Sequence, residues 1–107
     1  MTELTLHVLL ALGEGAAHGY AIGKDVEERS GGRLDPTTGA LYQVLKRLSD
    51  DGLIRQVKPP ADDTGDARRR YFALTPAGRR AASSELARLA GVVAAGRRRG
   101  LYGTDGK

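Results

Sequence analysis

The stretch DPTTGALYQVLKRLSDDGLI, Asp35 to Ile54, constrains the fold of this chain more than any other. At about one hundred degrees per residue, Leu41, Val44, Leu45 and Leu48 fall in one apolar stripe. Gly39, Gln43 and Lys46 fall on the other side, with Tyr42 and Arg47 at the edges. Asp35 reads as the N-cap, and Pro36 as the first helical residue, where its missing N–H costs nothing. Gly52 stops the helix. A strand follows at once, so the polypeptide must turn sharply between a half-buried helix and a sheet.

The flanking segments complete a pattern. Leu4 to Leu12 reads as a short helix, apolar nearly all round, with Thr2 as its N-cap and Gly13 and Gly15 as its end. His18-Gly19 opens a second helix, Tyr20 to about Ser30, with Ala21, Ile22 and Val26 facing inward and Gly31-Gly32 behind it. His18 reads as a capping or turn residue, and His7 as a core or interface histidine. LIRQVK (53–58) and RRYFAL (69–74) read as the strands of a hairpin. The connecting PPADDTGDA (59–67) has loop chemistry throughout. Thr75-Pro76 then caps a long helix reaching about Arg99. In it Ala82, Leu86, Leu89 and Val93 recur at spacings of four, three and four, a heptad-like seam. The expected fold is therefore mainly α with a small β-hairpin. It is a winged helix-turn-helix over 1–75, a C-terminal dimerisation helix over 76–99, and a disordered tail over 100–107.

The chain has 107 residues, which suits one small domain. It has no cysteine, which removes disulfides and thiolate metal sites. Its two histidines are not spaced as ligands. Asp62, Asp63 and Asp66 lack the order of a calcium-binding loop. There is no glycine-rich phosphate loop and no nucleophile elbow. The chain is read as a non-enzyme with no catalytic residue, no metal and no cofactor. No apolar run is long enough to span a bilayer, and the N-terminal helix has no basic segment before it. A cytoplasmic protein without a membrane partner is expected.

The net charge is +4, and 13 of the 17 Lys and Arg residues are Arg. Arg suits phosphate and base-edge recognition through its planar fork. The third helix has the matching chemistry. Its N-terminal residues Thr37, Thr38, Gly39, Tyr42 and Gln43 stand where a recognition helix reaches base edges. Gln43 can pair bidentately with adenine, and a Thr methyl can meet a thymine methyl. Gly39 removes a side chain where the helix backbone would approach the sugar-phosphate chain. Lys46 and Arg47 lie farther along, where phosphates would be met. Arg68, Arg69 and Arg70 stand at the base of the return strand, where a wing along the backbone or in the minor groove favours Arg; three adjacent arginines cannot all face one way, so about two are expected to reach DNA. The acidic loop tip is expected to point away from DNA or to flex. Arg97, Arg98 and Arg99 suit the C-terminal end of a helix dipole.

HGYAIGKDVEE, TTGALYQVLKRLSDDGLI and RRRYFALTPAGRR, in that order and spacing, resemble the PadR family of winged-helix transcriptional regulators. The resemblance covers roughly residues 4–95. It implies a homodimer on double-stranded operator DNA, usually a repressor, with the last and the N-terminal helices forming the dimer. Leu4, Val8, Ala82, Leu86, Leu89 and Val93 are the residues placed in that interface. It also implies, for several members, a small aromatic or drug-like effector near the interface. The sequence departs from the family pattern at three points. Gln43 stands where many members have Pro, and Asp66-Ala67-Arg68-Arg69 stands where many have Gly-x-Pro-Arg. There is also no Trp with which to stack a planar ligand. Two other readings compete: a ligand sensor using Leu9, Tyr20, Phe72 and Leu86, and a winged-helix protein-interaction module.

Overall fold

In a computed structural model, which describes residues 1–63 and 69–103, the chain is mostly helical around a small antiparallel sheet. The order is α1 (Glu3–Ala11), a 3-10 turn (Leu12–Glu14), β1 (Ala17–His18), α2 (Gly19–Arg29), α3 (Thr38–Asp50), β2 (Ile54–Val57), β3 (Tyr71–Leu74) and α4 (Pro76–Arg98). The winged helix-turn-helix read from the sequence is the fold found. The sheet has three strands rather than two, in the order β1-β3-β2. Ala17 pairs with Phe72 and His18 with Tyr71, so the approach to α2 is stitched to the return strand. Across the hairpin Ile54 pairs with Leu74 and Val57 with Tyr71.

One core joins all of these elements. Val8, Leu9 and Leu12 meet Ile22 and Val26 of α2, Leu41, Leu45 and Leu48 of α3, Ile54 and Phe72 of the sheet, and Ala82 of α4. Val44, expected on the same stripe of α3, packs against this cluster while partly buried. Among the described residues no buried side-chain nitrogen or oxygen lacks a partner. No polar or charged residue among them is buried either, so the core is apolar and polar groups are left to the rims.

The helix ends show how the chain is cut into elements. Thr2 caps α1, its hydroxyl oxygen accepting from the Thr5 N–H at 3.1 Å. His18 caps α2 through Nδ1, which accepts from the Ala21 N–H at 3.2 Å. At α3 the expected cap is displaced by two residues. Thr37, not Asp35, is the N-cap, accepting from the Ala40 N–H at 3.0 Å, and Pro36 lies outside the helix. Both residues have side chains able to cap, and Thr37 is the one whose hydroxyl reaches the first turn.

Thr75 caps α4, accepting from the Gly78 N–H at 3.0 Å, while its own hydroxyl donates to the Gly52 carbonyl at 2.6 Å. Its N–H also donates to the Leu53 carbonyl at 3.1 Å. The start of α4 is thus pinned to the corner between α3 and β2. Gly78 permits this approach, because a Cβ there would lie 1.9 Å from the Leu53 carbonyl oxygen.

At its other end α4 closes with a Schellman motif. The Leu101 N–H donates to Gly96 O at 2.9 Å and the Gly100 N–H to Arg97 O at 3.0 Å, with Gly100 at φ 73°. The Arg97 guanidinium lies 5.3 Å from the Tyr102 ring centre. Gly100 and Leu101 thus close the helix at the start of the segment read as a tail. Residues 104–107 lie outside the described residues.

Polar contacts hold α1 to α2 on the outside. Arg29 donates to the His7 carbonyl at 2.7 Å and to His7 Nδ1 at 2.6 Å, and its Nε donates to Asp25 at 2.7 Å. A guanidinium only donates, so His7 Nδ1 is the acceptor. His7 is therefore a polar pin between helices. Arg33 pairs with Glu3, holding that carboxyl below its ordinary pKa.

Candidate nucleic-acid interface

The outward face of α3 is assembled from the residues that the sequence singled out. Thr37, Thr38, Gly39, Tyr42, Gln43, Lys46 and Arg47 are all exposed. Thr37 is already engaged as the N-cap, which leaves its hydroxyl hydrogen for an outside acceptor. A Cβ added at Gly39 would meet nothing within 4 Å, so packing inside the chain gives no reason for a glycine there. The free N–H groups of the first turn add a positive partial charge at the same end.

Two of these side chains have partners that the sequence did not reveal. Lys46 Nζ lies 3.0 Å from Asp50 one turn on, and both ends are well exposed. An exposed pair of this kind is worth about 0–1 kcal/mol, so it restrains the lysine only weakly. Tyr42 keeps 38% of its accessibility, and its hydroxyl lies against Gly19 at the start of α2. An ideal Cβ on Gly19 would come within 2.3 Å of that hydroxyl oxygen. Tyr42 is thus a brace between the two helices of the helix-turn-helix as well as a surface residue. Tyr20 and Lys24 of α2, with Thr38 of α3, border a hollow of about 230 Å³ between the helix starts. Sequence reasoning did not bring these two beside Thr38, because helical spacing says nothing about which helices lie side by side.

The hairpin sits beside this surface as a wing. Arg55 and Lys58 on the outgoing side and Arg69 and Arg70 before β3 are exposed. Arg68 lies outside the described residues, as does Asp66 of the acidic tip. Asp62 is exposed, whereas Asp63 turns inward. Its side chain keeps 8% of its accessibility and lies 3.5 Å from Arg69 Nη1. The same carboxyl holds the Tyr71 phenol above its ordinary pKa, with burial adding to the effect.

The residues placed at a dimer seam divide. Val8 is fully buried and Ala82 nearly so, both within the core of this chain. Neither has surface to give a second copy, which corrects their placement at an interface. An all-apolar helix does not announce which of its sides its own core will take. Leu4 and Leu89 are partly buried, and Leu86 and Val93 keep 41% and 39% of their accessibility. The first half of α4 is therefore part of the winged-helix core, and its second half carries an uncovered apolar stripe. The residues suggested for a ligand chamber are not gathered. Leu9 and Phe72 are in the core, while Tyr20 and Leu86 are exposed on different helices. Among the described residues no helix is long and apolar enough to cross a membrane, and no cluster of three or more His, Cys, Asp or Glu is placed to hold a metal.

Residues 8–84 match the transcriptional regulator PadR-like family. A 37.1 kDa protein in transposon TN4556 of Streptomyces fradiae is 46% identical over 89 residues, covering 80% of this chain and 24% of that protein. The chain thus spans about a quarter of the length of the curated relative it matches. Among solved structures, a PadR family transcription regulator from Clostridium difficile superposes with a TM-score of 0.77 at 23% identity, covering 91% of this chain and 97% of that one. RosR of H. salinarum gives 0.70 at 29%, with coverages of 87% and 77%. Bacillus subtilis PadR in complex with operator DNA gives 0.66 at 24%, with coverages of 79% and 47%.

Proposed function

This chain belongs to the PadR-like family of transcriptional regulators, and from that premise we propose that it is a homodimeric repressor of a near-palindromic DNA operator. In this reading α3 enters the major groove and the β2–β3 wing follows the backbone. The observation that carries it is the outer face of α3. Thr37, Thr38, Gly39, Gln43, Lys46 and Arg47 are all exposed, with no acid between Asp35 and Asp50. A face made only to be wet would be mixed in charge. The wing arginines Arg69 and Arg70 extend the basic surface, and Arg68, outside the described residues, is assigned to DNA by its sequence position. Bacillus subtilis PadR has this fold and was solved on operator DNA.

The roles divide by chemistry. Gln43 reads a base edge, with Thr38 and the exposed part of Tyr42 beside it. Gly39 lets the helix backbone come close. Lys46, Arg47 and the wing arginines neutralise phosphates. Two copies join through the second half of α4, with Leu86, Leu89 and Val93 as the seam and Leu4 at its margin. Residues 1–75 then form the DNA-binding part and residues 76–99 the helix that pairs. A small aromatic or drug-like effector would act at the seam between copies, because one chain does not bring its candidate neighbours together. The protein would work in the cytoplasm, where its operator is.

The Gln43→Ala and Lys46→Ala variants test this division. Gln43→Ala should relax preference at one base position, at a cost of roughly 1–3 kcal/mol against the preferred base. Lys46→Ala should weaken binding to all duplexes alike and lower the salt slope by about one. Fluorescence anisotropy across a salt series separates the two. A uniform loss from Gln43→Ala removes that residue from base readout. A variant at Lys46 with an unchanged salt slope removes the lysine from the phosphate contacts.

A further inference from the structure

An acidic wing tip is an odd feature for a surface assigned to phosphates, and the structure shows how one of its carboxylates is used. We propose that Asp63 is a positioning residue of the wing, tying the outgoing loop to Tyr71 and Arg69 and so setting where the wing arginines face DNA. The proposal rests on the DNA-binding reading.

Three contacts and the burial of the carboxylate make the tie. The Asp63 N–H donates to Pro60 O at 3.0 Å, closing a turn that brings the loop back on itself. Its side chain keeps 8% of its accessibility, so the charge is withdrawn from solvent. The same carboxylate acts on the Tyr71 phenol closely enough to hold it above its ordinary pKa. Arg69 Nη1 lies 3.5 Å from Oδ1. Arginine has five N–H donors, so one can face Asp63 while the others face a phosphate.

Tyr71 is a fixed anchor. Its backbone is paired with Val57 on one side and His18 on the other. The His18 ring meets the Tyr71 ring edge-on with centroids 5.2 Å apart, and His18 also caps α2. The line Asp63–Tyr71–His18 therefore joins the wing loop to the first turn of the helix-turn-helix. Wing and helices would be held in one orientation instead of being set independently on the DNA.

Bare electrostatics and positioning predict opposite signs. A carboxylate near a phosphate backbone repels it, so its removal should tighten binding. A carboxylate that orients the wing should weaken binding when removed. The test uses a labelled duplex enriched by the wild-type protein from a random pool. Asp63→Ala should bind it about ten-fold more weakly, the loss of one good hydrogen bond, and Tyr71→Phe should do likewise. Asp63→Asn keeps an oxygen for the Tyr71 hydroxyl and should recover most of the affinity. In a spectrophotometric titration, the Tyr71 phenol, identified by its absence in Tyr71→Phe, should ionise at lower pH in Asp63→Ala than in wild type. Binding by Asp63→Ala that equals or exceeds wild type overturns the proposal, as does an unmoved tyrosine titration. A wild type that enriches no duplex overturns the DNA reading itself, an outcome told apart from both.

Discussion

Gly78→Ala will destabilise this protein by about 3 kcal/mol, the upper part of the range for forcing an atom into a packed site. A Cβ at this position would lie 1.9 Å from the Leu53 carbonyl oxygen and 2.9 Å from its carbon. These are backbone atoms, so no side chain can rotate away. The carbonyl is also the acceptor for the Thr75 N–H, and Thr75 in turn caps α4 and ties down Gly52. Moving Leu53 thus disturbs the helix cap, the end of the hairpin and the exit from α3 together. In a domain of this size such a loss lowers Tm by roughly 12–24 °C. Gly91→Ala is the matched control. It lies within the same helix with nothing within 4 Å of its would-be Cβ, and should gain about 0.5–1 kcal/mol. If the two variants melt alike, the docking of α4 on Leu53 is wrong.

The second large effect is on assembly. The double variant Leu86→Asp, Val93→Asp should run as a monomer in sedimentation and lose roughly 100-fold or more in operator affinity, because two linked half-sites become two separate weak ones. Both residues are outside the core cluster of the chain, so circular dichroism should still report a folded helical protein. Val8 and Ala82 are poor choices for the same experiment, since their replacement would damage the core. A variant that stays dimeric with both aspartates in place would move the interface elsewhere.

Much of this was legible because helices carry their own punctuation. The stripe of Leu41, Leu45 and Leu48 and the stop at Gly52 are local signals, and each of those leucines is buried as its spacing demands. Thr2, His18 and Thr75 cap the helices that follow them for equally local reasons. Asp35 was a false cap because two capping residues flank a proline, and only geometry chooses between them. Strand β1 left no trace, since a two-residue strand has no period. Contacts between distant segments were the least legible: Tyr42 against Gly19, Gly78 over Leu53, and Asp63 beside Arg69. Each depends on where elements meet, which the order of residues along one element does not encode. The acidic tip illustrates the point, because composition alone makes Asp63 a liability, whereas its contacts make it a tie.

The central claim is that α3 and the wing of two joined copies read DNA sequence. Selection from a pool of random duplexes at moderate salt tests it most directly. The account predicts enrichment of a near-palindrome whose half-sites lie about one helical turn apart, on the order of 34–36 Å between centres. A pool that comes through the selection with no sequence preference, or a single unpaired half-site bound by a monomer, would contradict it.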